Sequence, residues 1–150
     1  LIASLVPTAV RVLTGYKGLM VVRRDLGLYS FKFALLHFLI FAGLDYRFDL
    51  ELLWDALAQG SRNIIGAISW LLLLVLALTS TKQAMRRLGR YWRPLHRLTY
   101  LASALAVAHY VLTFKEWRVA PVVTGIVLVL LLVVRMVPLL RQRSTRSRQS

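Results

Sequence analysis

A chain of 150 residues that is 58% hydrophobic, with a mean hydropathy of +0.63, lies outside the range of soluble domains, where apolar residues make up about 45–50%. Its net charge of +14 comes from 20 Lys and Arg against 6 Asp and Glu. Most of these cations sit in loops between apolar runs, so they read as a topology signal and not as a nucleic-acid surface. The absence of cysteine excludes disulfides, iron–sulfur clusters and any thiolate-ligated or covalently attached haem.

In chain order, residues 1–14 read as the end of a helix interrupted by Pro7 and Arg11, followed by a basic loop with Lys17, Arg23 and Arg24. Residues 26–44 form the next expected span, rich in aromatics and carrying His37. The polar stretch 45–62 holds Asp45, Asp49, Glu51 and Asp55, and its Leu50, Leu52, Leu53, Trp54 and Leu57 suit a short amphipathic piece on the membrane surface. Residues 63–79 are a clean span, 80–94 a basic loop, and 95–114 a span opened by His96 and carrying His109. A tight turn at 115–118 leads to a last span, 119–140, which Pro138 is expected to end; the tail 141–150 reads as basic, serine-rich and disordered. The chain starts at Leu1 inside an apolar run, so the expected fold is all-α: an N-terminally truncated membrane bundle of four complete transmembrane helices and part of a fifth. Residues 1–140 make the membrane domain and 141–150 the tail.

Alternating the loops separates two sides. One collects Arg11, Lys17, Arg23, Arg24, the six cations from Lys82 to Arg97 and the five from Arg135 to Arg148; the other has Arg47, Arg62, Lys115 and Arg118 beside five of the six acids. The positive-inside rule makes the first side cytoplasmic, with the C-terminus. No Gly-rich phosphate loop, HExxH, Ser/His/Asp set or carboxylate pair is present, so hydrolytic chemistry has no support.

The three histidines carry the chemistry. An ionisable residue inside hydrocarbon is costly without a partner and marks function by default. His37 falls roughly 17 Å past Leu26 and His109 roughly 21 Å past Leu95, at matched depth in the outer half of the membrane. Two neutral imidazoles on different helices suit the two faces of one haem iron held in the bundle core. The alternative is a buried histidine bonding a neighbouring helix. His96 lies at the opposite border and suits a second, inner site or contact with haem propionates. The stretch 101–108, Leu-Ala-Ser-Ala-Leu-Ala-Val-Ala, leaves room for a macrocycle or for close helix packing. Lys32 is expected to snorkel to headgroups. Trp54, Trp92 and Trp117 suit interfacial anchors. The arginines of 82–97 fix topology and bind anionic lipid, or hold propionates or a flavin phosphate.

The stretch Leu78-Thr-Ser-Thr-Lys-Gln-Ala-Met-Arg-Arg-Leu-Gly-Arg-Tyr-Trp-Arg-Pro-Leu-His-Arg-Leu-Thr-Tyr100, followed by Ala108-His-Tyr110, resembles the MsrQ (YedZ) family. The earlier Arg23-Arg-x-Leu-Gly27 and Leu36-His37 also fit. The resemblance covers essentially the whole chain and implies a ferric-reductase-like transmembrane domain of the bacterial inner membrane that binds b-type haem and FMN. It implies His37, His96 and His109 as ligand histidines. It also implies electrons taken from the quinone pool or a cytoplasmic flavin reductase and passed to a periplasmic molybdopterin subunit of the MsrP type, which reduces methionine sulfoxide and so repairs oxidised envelope proteins. The related NADPH oxidases carry two histidines on each of two helices; here the position fourteen before His37 is Arg23, which leaves His96 without an evident inner partner.

The expectation is therefore an electron-transfer subunit with no substrate-reducing site of its own. The alternatives are a ferric-reductase-like or quinol-oxidising b-type cytochrome with another acceptor, and a cofactor-free membrane transporter or scaffold.

Overall fold

The computed structural model describes residues 1–16, 18–58, 60–113 and 119–146, except for the side chains of Met20, Pro121 and residues 135–146. The sequence expectations at Lys17, at 115–118 with Trp117, for the side chains of 135–146 and at the end of the tail lie outside the described residues. Among the described residues every regular element is helical: α1 (Val6–Thr14), α2 (Arg23–Ile40), α3 (Leu50–Ala58), α4 (Ser61–Leu78), α5 (Lys82–Leu88), α6 (Trp92–Leu95), α7 (Leu98–Thr113) and α8 (Val119–Arg146). A π-helical turn, Phe41–Asp45, continues α2.

Several boundaries differ from those the sequence suggests. Pro7 does not interrupt the first helix but sits in its first turn, where the missing N–H had no helical partner to lose. Arg23 and Arg24 open α2 instead of ending a loop. The expected loop 80–94 is mostly helical: Thr81 accepts from the Ala84 N–H at 3.1 Å and caps α5, and Lys, Gln, Ala, Met, Arg and Leu all favour helix. His96 consequently falls between α6 and α7, outside the long apolar helix. At the other end α8 passes Pro138 and runs to Arg146, through residues of good helix propensity such as Arg141 and Gln142.

Among the described residues, 23–45 and 61–78 are long and apolar enough to cross a membrane; 2–14, 98–113 and 122–134 are shorter apolar helices. Phe33, Leu71, Ile126 and Val129 are each more than half exposed, an apolar surface too extensive for contact with water and suited to lipid.

The core lies between α4 and α7, the most closely packed pair. Leu73, Leu76 and Ala102 form its buried centre, with Phe31 and Ala34 of α2 packed against it. Ala102 and Ser103 have no exposed surface, and the Ser69 hydroxyl donates to the Ala102 carbonyl at 3.0 Å. Small residues let two backbones approach and bond in this way. That close packing decides the reading of Ala102 and Ser103, whereas Ala106, one turn further along, lines a cleft.

Candidate functional site: a histidine pair in an apolar cleft

His37 of α2 and His109 of α7 face each other, with ring centres 6.4 Å apart and ring planes at 63°. Their placement follows from the packing. α2 reaches α4 through the stacked rings of Phe38 and Trp70, 4.5 Å apart, and α7 is held on α4 by the small-residue contact. Both histidines therefore border a cleft that the first half of α4 helps to line. His109 Nδ1 lies 2.9 Å from the backbone carbonyl of Arg62. A carbonyl only accepts, so Nδ1 carries the proton and Nε2 keeps its lone pair. This is the form in which a histidine binds a metal, its other nitrogen oriented by an outer carbonyl.

The pair opens on a cleft of about 360 Å³ lined by Phe38, Phe41 and Trp70, by the small residues Ala34 and Ala106, and by Gly66. That size and lining are typical of cofactor and small-molecule sites. The indole N–H of Trp70 is buried with no acceptor among the described residues. Leu53 and Leu57 of α3 close one end, while Leu50 and Trp54 on the other face of that helix stay 81% and 72% exposed. α3 is thus the short helix the sequence suggests, and in addition a roof over the cleft. The Asn63 amide ties it to α4 by donating to the Ala56 carbonyl at 2.8 Å.

His96 is not brought to this pair. It lies at the opposite, basic end, in a second cleft of about 520 Å³ whose lining includes Arg23, Arg24, Arg93, Arg97 and Tyr100. Its Nε2 is 3.2 Å from the Thr79 hydroxyl, and that hydroxyl already donates to the Val75 carbonyl at 2.7 Å. Nε2–H of His96 is therefore the donor, and Nδ1 holds the lone pair. Trp92 stacks on the imidazole at 4.2 Å and donates its indole N–H to the Thr79 carbonyl at 3.0 Å. The Arg24 guanidinium donates to the Ser80 carbonyl at 3.1 Å, joining the start of α2 to the end of α4. Thr79, Ser80, Trp92 and His96 of the long motif thus form one clasp. Burial holds the His96 pKa below its usual value, hydrogen bonding to the Thr79 backbone opposes this, and the Arg23 charge adds to the lowering. Leu73 lines both clefts and is the partition between them. Lys32 rests over the Tyr29 ring at 4.9 Å and lines neither cleft.

Nothing in the spacing of the histidines points to Arg62 or Gly66. A β-carbon at Gly66 would lie 2.7 Å from His109 Nδ1, so the imidazole occupies the space a side chain there would fill. The one available signal was that Gly66 is the sole glycine in the 61–78 run.

Residues 1–107 match the family described as ferric reductase like transmembrane component, which makes the class that of a helical membrane protein. The heme-binding subunit MsrQ of protein-methionine-sulfoxide reductase from Rhodospirillum rubrum is 41% identical over 144 residues, 95% of this chain and 69% of that protein. The proteins of the same name from Brucella ovis and Brucella canis are 39% identical over 144 residues, 95% of this chain and 65% of theirs. The chain belongs to the ferric-reductase-like transmembrane family and, within it, to the MsrQ group. It spans about two thirds of the length of these relatives. No solved structure matches it.

Proposed function

We propose that the chain is a haem-carrying electron conduit of the bacterial inner membrane, in which His37 and His109 would hold one haem b. The observation that carries this reading is the pair itself: two imidazoles with centres 6.4 Å apart, one with its tautomer set for ligation. Imidazole nitrogens bind first-row metals at about 2 Å, which sets two rings on opposite sides of one metal about 6 Å apart, centre to centre. The surroundings fit the group: aromatic walls from Phe38, Phe41 and Trp70, flat ground at Ala34, Gly66 and Ala106, and an orphaned indole donor at Trp70 for a carboxylate. A haem bound between two imidazoles supplies reversible one-electron iron chemistry and favours electron transfer over oxygen chemistry. The residues of the chain orient the ligands, keep water out through the roof of Leu53 and Leu57, and insulate the path.

The relatives are named as heme-binding subunits of a methionine-sulfoxide reductase, and the same assignment is made here. Electrons enter at the basic, cytoplasmic end from the quinone pool or a flavin reductase. They leave at the acidic, periplasmic end for a molybdopterin subunit of the MsrP type, in support of the repair of oxidised periplasmic proteins. The cleft at His96, ringed by Arg23, Arg24, Arg93 and Arg97, is assigned to an anionic group such as a haem propionate or the phosphate of FMN. Its outer arginines serve anionic lipid. Four spans complete the topology, beside the shorter apolar helix of residues 2–14.

Optical spectroscopy of the full-length protein, expressed with haem available, tests this. The expected result is a reduced b-type α-band that is lost almost completely in His37→Ala and in His109→Ala and persists in His96→Ala. A colourless wild-type protein, or full haem in either of the first two variants, overturns the ligand assignment.

A further inference from the structure

We propose that Gly66 is a positioning residue for His109, and that it acts together with the carbonyl one helical turn before it. The inference rests on the haem reading for its purpose, but its geometry stands apart from it. In an α-helix the carbonyl of residue 62 pairs with the N–H of residue 66, and every Cα–Cβ bond tilts toward the helix N-terminus. A side chain at position 66 is therefore aimed back over the Arg62 carbonyl. That is where His109 sits: a β-carbon at Gly66 would approach its Nδ1 to 2.7 Å and its Cε1 to 2.8 Å, while Nδ1 itself lies 2.9 Å from the Arg62 oxygen. The same register supplies the acceptor and clears the way to it. Any other residue at 66 keeps the acceptor and blocks the approach.

The two ligands are consequently held unequally. His109 is pinned by a backbone carbonyl, which a side-chain substitution cannot remove. His37 has no hydrogen-bond partner among the described residues and is held by its helix and by contact with the opposing ring. Fixing the ring through Nδ1 sets its rotation and raises the basicity of Nε2. Gly66 thus governs the angle between the imidazole planes and the donor strength of one of them, which the electron paramagnetic resonance of a ferric low-spin centre reports directly.

The experiment compares full-length protein carrying Gly66→Ala, Gly125→Ala or His109→Ala, each reconstituted with haem. Gly125 is the control, since a β-carbon there meets only Val107 at an ordinary 3.9 Å. The expected result for Gly66→Ala is haem retention lowered ~10-fold or more, as for loss of an outer-shell partner, with a shifted low-spin signal in whatever haem remains; Gly125→Ala keeps both. Adding Gly66→Ala to His109→Ala should cost nothing further, because with the ring gone the new β-carbon has nothing to displace. Wild-type haem retention and an unshifted signal in Gly66→Ala overturn the proposal. So does a Gly66→Ala protein that fails to accumulate in the membrane where His109→Ala accumulates, since that identifies a packing role. If His109→Ala itself keeps full haem, it is the ligand assignment that falls.

Discussion

His96 and His109 carry their protons on opposite nitrogens, and the difference follows from what each ring faces. His109 meets a carbonyl at Nδ1, whereas His96 meets at Nε2 a hydroxyl whose own proton is committed to Val75. Protonating Nδ1 of His96 would leave the Nε2–H bond to Thr79 in place, so what opposes the charged ring is its burial. Arg23 adds to this, against the opposing hydrogen bond to the Thr79 backbone. The other charged groups lining its cleft are the guanidiniums of Arg24, Arg93 and Arg97. With the folded pKa below the unfolded value of about 6.5, the unfolded chain takes up a proton first as pH falls. The contribution of His96 to stability is then fully present above about pH 6.5 and is lost as the pH drops from there toward the folded pKa. Thermal unfolding of the detergent-solubilised protein should accordingly show a lower midpoint at pH 5.5 than at pH 7.5, and His96→Gln should flatten that difference. The same pH dependence in both proteins would remove His96 as its source.

At the scale of elements, the roof over the histidine cleft is its most readily opened wall. α3 is nine residues long, too short to persist without tertiary support, and Asp49 starts it by accepting from the Glu51 and Leu52 N–H groups at 2.9 and 3.2 Å. Asp49→Ala should cost about 1 kcal/mol of local helix stability and, by opening the roof more often, speed the transfer of haem to apomyoglobin about five-fold. An unchanged transfer rate would show that haem leaves by another route. How far the sequence reveals these elements depends on what each one answers to. α4 and the histidine pair are readable because solid apolar runs and an imidazole within them obey the demands of a membrane whatever the tertiary contacts. α5 and α6 are not, since charge density there suggests a loop while Thr81 and residue propensity make helix. Gly66 and the Arg62 carbonyl are hidden for a different reason: the bond they serve joins residues 47 apart in the chain, and no local pattern encodes which carbonyl a distant ring will find. The clasp of Thr79, Trp92 and His96 lies between, its members visible as a motif but their mutual bonds visible only once folded.

For the whole molecule, the two ends of the bundle differ in charge. The starts of α2 and α7 and the end of α4 converge where Arg23, Arg24, Arg93 and Arg97 ring one cleft, and Arg86, Arg87 and Arg90 lie exposed on the adjoining segment. The opposite end, beyond the histidine pair, carries Asp45, Asp49, Glu51 and Asp55 around α3. Cytoplasmic loops hold the excess of Lys and Arg because translocating them is unfavourable, so the basic end should face the cytoplasm and the histidine cleft should lie nearer the periplasm. In the proposed function the direction of electron flow depends on this orientation. This chain has no cysteine, so it is its own blank for thiol labelling. With a membrane-impermeant maleimide added to spheroplasts, Asp55→Cys should label at once, and Arg87→Cys only after the membrane is breached; both positions are exposed, so access and not burial decides the outcome. The reverse pattern would place the histidine cleft at the cytoplasmic face. Delivery to a periplasmic acceptor would then require electrons to cross the full thickness of the bundle after leaving the pair, through the Leu73 partition and past the basic cleft, which runs against the placement of every residue assigned to the exit.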